Sequence, residues 1–140
     1  MDFFDKGDSA NIYTSISGQE LADIVHEMGF VPHLSTDKSG DPVIRFNIEG
    51  LTCTIWFYGV KDERANSLQF STGFADKISP SKVSEWNANK RYLKAYLDTE
   101  GDVIGNMDVD LDGGVTQAFL VETLRRWRGV FLNFVDFMSN

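Results

Sequence analysis

The 140-residue sequence contains a single cysteine, Cys53, so no disulfide can form within the chain. Cys53 lies in an apolar run typical of a strand, which favours a buried structural thiol over a reactive one. The chain also lacks any apolar run of about 18 residues, and its N-terminus lacks the basic and apolar regions of a signal peptide. We therefore predict a cytoplasmic protein without a membrane partner.

Positive charge is also scarce. Lys and Arg number 13 against 21 Asp and Glu, which gives a formal net charge of -8. The basic residues are scattered, apart from Arg125, Arg126 and Arg128. Because an acidic chain repels phosphate backbones, nucleic acid is not predicted as a partner.

The apolar content, by contrast, is sufficient for one folded domain. Hydrophobic residues make up 42% of the sequence and aromatic residues 13%, which are globular values that exclude extensive disorder. A chain of this length buries roughly 70% of its unfolded surface without needing disulfides. We predict a single domain over residues 1–140, in which residues 1–12 form a loose N-terminal segment.

Capping residues and apolar periodicity predict the first two helices and the strands between them. Ser17 and Glu20 form a capping box, which begins a helix over 18–28. Ser79, a capping residue followed by proline, begins a second helix over 80–89. Strand-like runs bounded by turn residues separate the two helices, at 32–36, 43–48, 51–58 and 68–74.

Two tight turns fix the strand registers. If Glu49 and Gly50 form a two-residue turn, one register places six apolar residues on a single face: Ile44, Phe46, Ile48, Leu51, Cys53 and Ile55. A three-residue loop ending in a left-handed Gly101 would form a second hairpin with one apolar face. Its predicted pairs are Leu97 with Val103, Ala95 with Gly105 and Leu93 with Met107, and Tyr92 with Asp108 on the other face.

Gly113 and Gly114 turn the chain into its longest element, a helix over 116–138. Its apolar stripe consists of Leu120, Leu124, Trp127, Phe131, Phe134 and Met138. Val130, Leu132 and Phe137 remain on the flanks of this stripe. Either the helix is clamped between the sheet and the first helix, or these three side chains form a dimer or partner surface.

No arrangement of residues indicates catalysis, so we predict neither an enzyme nor a cofactor. Asp108, Asp110 and Asp112 match the first half of a calcium loop but lack its terminal Glu, which favours a solvated strand face. His26 and His33 have no ligand at metal-binding spacing. The serines occupy no nucleophile elbow, and the glycines form no phosphate loop.

The second half of the chain carries a distinctive set of residues: Trp86, Asn87, Arg91, Tyr96, Leu97, Asp98, Gly101, Asp102, Met107, Asp108, Asp110, Gly113, Gly114 and Val115. In these residues the sequence resembles the YbjN-domain family of bacterial proteins, and the resemblance covers most of the chain. The segments 12–16 and 41–44 are also similar to that family. In physical terms Asn87 can bond backbone groups near the helix end, and Arg91 can pair with Asp110 or cap the helix. A ligand pocket around Trp86, Asn87 and Arg91 is the alternative to this structural role.

The resemblance implies a sensory transduction regulator with a fold similar to type III secretion chaperones, which are acidic homodimers that hold unfolded polypeptide. The expected fold is α+β, an antiparallel sheet of about five to six strands with helices packed on it. The element order is α-β-β-β-β-α-β-β-α. We expect a non-enzymatic protein-binding module that forms a homodimer or binds another polypeptide. The alternative is a divalent-metal-responsive sensor that uses Asp108, Asp110 and Asp112.

Overall fold

The computed structural model describes residues 11–140, which form three helices and ten strands. The helices are α1 (Gly18–Glu27), α2 (Pro80–Asn89) and α3 (Gln117–Ser139). The strands are β1 (Ile12–Tyr13), β2 (Ile16–Ser17), β3 (His33–Thr36), β4 (Pro42–Ile48), β5 (Leu51–Tyr58), β6 (Arg64–Ala65), β7 (Ser67–Phe74), β8 (Lys94–Leu97), β9 (Val103–Asp110) and β10 (Val115–Thr116). Six of them form one antiparallel sheet in the order β3-β4-β5-β7-β9-β8, which confirms the predicted α+β class and element order.

The helix boundaries follow from the predicted caps. The backbone N–H of Glu20 donates to Ser17 Oγ at 3.1 Å, and the backbone N–H of Ser17 donates to Glu20 Oε1 at 3.0 Å. This reciprocal pair satisfies two N–H groups that a helix start leaves free. Ser79 caps α2 through a single bond, in which Ser79 Oγ accepts from the backbone N–H of Lys82 at 3.3 Å. The sequence therefore predicted these starts correctly.

The β4–β5 hairpin has the predicted register. Glu49 and Gly50 have φ values of 50° and 83°, which is the two-residue turn that matches the twist of paired strands. Ile48 lies opposite Leu51, and the remaining predicted pairs follow. Five of the six apolar residues on this face are buried, but Leu51 is 44% exposed because it lies at the end of the strand.

The β8–β9 hairpin is also predicted correctly, except at its first residues. Leu97 pairs with Val103 and Gly101 has a φ of 84°. The strand begins only at Lys94, and Tyr92 has a left-handed φ of 76°. The predicted pairings of Tyr92 with Asp108 and of Leu93 with Met107 are therefore wrong, because the chain turns sharply before it enters β8.

Two short strand pairs were not predicted. Strand β1 pairs with β10, and β2 pairs with β6. Residues 1–12 were predicted to form a loose segment, but Ile12 is paired with Thr116. Residues 1–10 of this segment lie outside the described residues. Asp62 and Glu63 form a tight turn with φ values of 54° and 62° that leads into β6. These pairs join distant segments, so no local pattern indicates them.

The core lies between the sheet and the helices α1 and α3. Alternate residues of the strands point toward these helices and are buried, among them Ile44, Phe46, Ile55, Leu68, Phe70 and Met107. Within residues 11–140 no helix has the length and apolar character needed to cross a bilayer.

Cys53 is part of this core, as predicted. Its thiol donates to the backbone carbonyl of Phe46 at 3.5 Å, and burial raises the pKa of the thiol to about 12. The neighbouring Trp127 side chain lowers that pKa by a smaller amount. Trp127 Nε1 has no hydrogen-bond partner in the part of the chain described here.

We expect the Cys53 thiol to resist alkylation in the native protein and to react only after unfolding. The reactive species is the thiolate, and a native pKa near 12 leaves very little of it at neutral pH. The native pKa is above the ordinary value of 9.0, so the protonated thiol is favoured in the folded state. The contribution of this thiol to stability is complete below pH 9 and is lost as the pH rises toward 12. Alkylation by iodoacetamide with and without denaturant, read by mass spectrometry, measures this protection. Equal rates in both conditions would contradict it.

Candidate binding surfaces

Trp86 and Asn87 of α2 attach this helix to the edge of the sheet. The indole N–H of Trp86 donates to the backbone carbonyl of Leu93 at 2.8 Å. Asn87 makes two bonds to Ala95 of β8: its Nδ2 donates to the carbonyl, and its Oδ1 accepts from the backbone N–H, each at 2.9 Å. The structural role predicted for Trp86 and Asn87 agrees with these contacts.

Asn87 replaces a neighbouring strand at this edge. Strand β8 is the last strand of the sheet, so the N–H and C=O of Ala95 that face away from β9 would otherwise be free to pair with another chain. The side-chain amide of Asn87 presents one donor and one acceptor, as a backbone does, and satisfies both groups. The middle of this edge is thereby closed to strand addition.

Arg91 makes neither of the two contacts predicted for it. Within residues 11–140 no ion pair joins it to Asp110, and the C-terminal backbone bond of α2 runs from Lys90 N–H to Trp86 O. The guanidinium of Arg91 instead lies 4.9 Å from the ring centre of Tyr92, and that of Arg126 lies 4.7 Å from the same ring.

Asp98 and Gly101 build the tip of the β8–β9 hairpin. Asp98 Oδ1 accepts from the backbone N–H groups of Glu100 and Asp102, each at 2.9 Å, and the N–H of Gly101 donates to the carbonyl of Asp98. The tip of the β3–β4 hairpin uses the same five-residue pattern, Asp37-Lys-Ser-Gly-Asp, with equivalent bonds. The repeated pattern Asp-x-x-Gly-Asp in the sequence therefore indicates both turns.

Gly113 and Gly114 form the predicted turn before α3, with φ values of 86° and 94°. A Cβ atom on Gly114 would lie 2.6 Å from Cγ2 of Ile12. Gly114 is thus required both for its left-handed backbone and for the close approach of β1.

Two of the three carboxylates of the metal hypothesis accept hydrogen bonds from the chain itself. Asp108 accepts a hydrogen bond from Gln69 Nε2 at 2.9 Å on the exposed face of the sheet. Asp110 Oδ1 accepts from the backbone N–H of Asp112 at 2.9 Å. Among the described residues there is no group of three His, Cys, Asp or Glu that could hold a metal ion. The metal-sensor alternative gains no support from this geometry.

The three flanking residues of α3 do not share one surface. All three are partly buried against the core. Phe137 packs on α2, with its ring centre 5.5 Å from that of Trp86 and 5.4 Å from Lys82 Nζ. Since an α-helix turns about 100° per residue, Val130 lies on the same flank as Phe137, whereas Leu132 lies on the opposite flank.

The flank of α3 that carries Leu132 borders a groove of about 440 Å³, which we call the hairpin groove. It lies between α3 and the ends of β5 and β7, and its lining residues are Gly50, Leu51, Thr52, Thr72, Gly73, Phe74, Asp76, Phe131, Val135 and Ser139. Leu51, the exposed residue of the β4–β5 hairpin, forms part of its wall. The groove therefore combines apolar side chains with hydroxyl groups and one carboxylate.

One ion pair connects α3 to the turn beside this groove. Arg128 Nη2 lies 3.0 Å from Glu49 Oε2, and both side chains are largely exposed. Exposed pairs of this kind contribute little to stability. Their effect here is to place one positive and one negative group beside the hairpin groove.

Comparison with known proteins agrees with this architecture. No curated protein sequence matches the chain. The crystal structure of YbjN from E. coli, described as "a putative transcription regulator", superposes with a TM-score of 0.60 over 81% of this chain and 84% of that chain. The two sequences are 17% identical, so the superposition shows a shared fold. The profile of one family, YbjN, described as "Putative bacterial sensory transduction regulator", matches residues 17–139. The chain therefore belongs to the YbjN family.

Proposed function

We propose that this protein is a non-enzymatic regulatory module that acts by binding polypeptide, and that its working form is a homodimer. The description of its family as a sensory transduction regulator supports a regulatory role. The single observation that carries the proposal is the hairpin groove beside the apolar flank of α3.

The occupant of the hairpin groove is, in this proposal, the same flank of a second copy. Leu51 is 44% exposed and lines the groove together with the partly buried Val135, and Leu132 lies on the same flank of α3. Burial of these side chains would remove apolar surface from water. A two-fold axis allows one patch to cover itself, so no other apolar surface is required.

The charges beside the groove favour a second copy over an arbitrary partner. The protein as a whole carries a net charge of -8, which opposes association. Glu49 and Arg128 form a locally neutral edge, however, and a two-fold arrangement can place each Arg128 near the Glu49 of the other copy. This edge is therefore electrostatically complementary to itself.

We expect sedimentation equilibrium to show a dimer that tightens as the salt concentration rises, since salt screens the repulsion between acidic chains. Leu51→Asp introduces a charge at the groove, and we expect it to weaken the dimer about tenfold or more. Leu132→Asp tests the facing helix flank and should act in the same direction. Thermal melts of both variants establish that they remain folded.

Phe119→Asp is the matched control, because Phe119 is 42% exposed on the opposite flank of α3. It adds the same charge to the same helix and should leave the dimer unchanged. Phe137→Asp is less informative, since Phe137 covers Trp86 and its loss would disturb packing. A monomer at every salt concentration and at tens of micromolar protein would refute the homodimer. A dimer lost with Phe119→Asp but retained with Leu51→Asp would place the interface on the other flank.

A monomer that binds another polypeptide through Leu51 would also refute the homodimer and would assign the groove to a different partner. A chemically crosslinked sample, digested and read by mass spectrometry, separates these two occupants. Crosslinks between two copies of the same groove peptide support the homodimer, whereas crosslinks only to a foreign peptide exclude it.

A further inference from the structure

Two arginines converge on one exposed tyrosine at the junction of α2 and β8. Tyr92 is 51% exposed, and the guanidinium carbons of Arg91 and Arg126 lie 4.9 and 4.7 Å from the centre of its ring. Arg91 precedes Tyr92 in the chain, whereas Arg126 lies on α3. The contact therefore depends on how α3 packs beside the end of α2.

Stacking on an aromatic ring occupies the flat face of a guanidinium and leaves its N–H donors, which lie at the edges, available. Three of the other four arginines of the described chain use these donors for carboxylates: Arg64 contacts Glu20, Arg125 contacts Glu122, and Arg128 contacts Glu49. The fourth, Arg45, lies over the ring of Trp56. Within residues 11–140, neither Arg91 nor Arg126 makes an ion pair or a side-chain hydrogen bond.

The backbone at this position is held in a strained conformation. Tyr92 has a φ of 76°, and the N–H of Leu93 donates to the carbonyl of Arg91 at 2.9 Å, which closes a three-residue turn. A bulky residue with a left-handed φ persists only where its surroundings impose it. The bond from Trp86 Nε1 to the Leu93 carbonyl holds the residue that follows, so the position of Tyr92 is fixed.

This arrangement concentrates like charge in a protein that is otherwise acidic. Two guanidinium groups near one ring repel each other, and a bound anion would relieve this repulsion. The forked donors of arginine match the oxygen geometry of phosphate, and two arginines match its double charge. The hydroxyl of Tyr92 adds a further donor beside them.

We propose that Arg91, Tyr92 and Arg126 form a binding site for a phosphate group, either as free phosphate or as a phosphate monoester. The two arginines contact the phosphate oxygens through N–H donors that no side chain of residues 11–140 occupies. Tyr92 serves as the platform that keeps the guanidinium groups apart and oriented.

The test is an NMR titration that follows the Nε–Hε signals of the arginines, with inorganic phosphate and phosphoserine as separate probes. Sodium chloride at matched ionic strength serves as the reference. We expect phosphate or phosphoserine at millimolar concentration to shift the signals of Arg91 and Arg126, and chloride to leave them in place. A shift with phosphate alone identifies free phosphate as the ligand form, and a shift with phosphoserine alone identifies a monoester.

Variants localise the binding. Arg91→Gln and Arg126→Gln should each weaken it about tenfold, since each removes charge-assisted hydrogen bonds. Arg125→Gln is the matched control, because it lowers the charge of the same helix equally but removes an arginine that is paired with Glu122. The proposal is overturned if neither probe shifts the two signals beyond the chloride reference. It is also overturned if Arg125→Gln weakens binding as much as Arg126→Gln does.

Discussion

Replacement of Trp86 by alanine should lower the free energy of unfolding by about 3 to 5 kcal/mol, as expected when a large buried aromatic side chain is truncated. Trp86 is 1% exposed, and its ring centre lies 5.4 Å from that of Phe134 and 5.5 Å from that of Phe137. Truncation would leave a cavity between α2 and α3 and would remove the donor to the Leu93 carbonyl. Chemical denaturation of the two proteins measures the difference.

Phenylalanine variants separate the hydrogen bond of Trp86 from its packing. Trp86→Phe leaves the Leu93 carbonyl without its indole donor, which should cost about 1 to 3 kcal/mol beyond the loss of ring volume. Trp127→Phe is the matched control, because Trp127 is equally buried but its Nε1 has no acceptor within hydrogen-bond distance in residues 11–140. Equal losses for the two Phe variants would show that the bond to Leu93 contributes nothing. A loss below about 1 kcal/mol for Trp86→Ala would contradict its burial.

The second large effect is expected at Gly105, in the middle of β9. A Cβ atom there would lie 2.8 Å from Leu93 Cδ2 and 3.0 Å from Phe134 Cε2. Since the ring of Phe134 is packed against Trp86, it has little room to move. We expect Gly105→Ala to destabilise the protein by about 1 to 3 kcal/mol through overpacking.

Gly129 provides the control with the opposite sign. It lies in α3, and a Cβ atom there would meet nothing within 4 Å. Gly129→Ala should therefore stabilise the helix by about 0.5 to 1 kcal/mol, because alanine loses less conformational freedom on folding than glycine does. Denaturant melts of the two alanine variants give the comparison, and a stabilising Gly105→Ala would show that the neighbouring side chains give way without cost.

The proposed phosphate site and the proposed dimer interface occupy opposite flanks of α3. Arg126 lies on the flank that faces α2, whereas Leu132 and Val135 lie on the flank that borders the hairpin groove. The two proposals can therefore be tested separately on one protein, since Leu132→Asp and Arg126→Gln change opposite flanks of the helix.

The hairpin tips show that local sequence determines the turns and, through them, the pairing of the strands. Asp98 and Gly101 close the β8–β9 hairpin through bonds that span at most four residues, and Glu49 with Gly50 closes the β4–β5 hairpin. Once such a turn is set, the register of both strands follows, because their side chains alternate between the two faces. The α+β class, the element order and the buried stripe of α3 were also predictable, because they too follow from local sequence patterns.

The functional surfaces depend on contacts between distant parts of the chain. Arg91 and Arg126 are separated by 35 positions in the sequence and meet at Tyr92 only because α3 packs beside the end of α2. The sequence shows the basic group of Arg125, Arg126 and Arg128, but nothing in it indicates that Arg126 lies near Arg91.

Tertiary packing also determines which of the residues outside the stripe of α3 are covered by other elements. The sequence alone established that Val130, Leu132 and Phe137 lie beside the stripe, since the helical period of 3.6 residues determines each angular position. It could not establish which neighbour each flank meets. Phe137 is covered by Trp86 of α2, whereas the flank of Leu132 borders an open groove. Short-range bonding sets the elements of this protein, and the packing of α2 and α3 around the sheet determines which side chains remain available for binding.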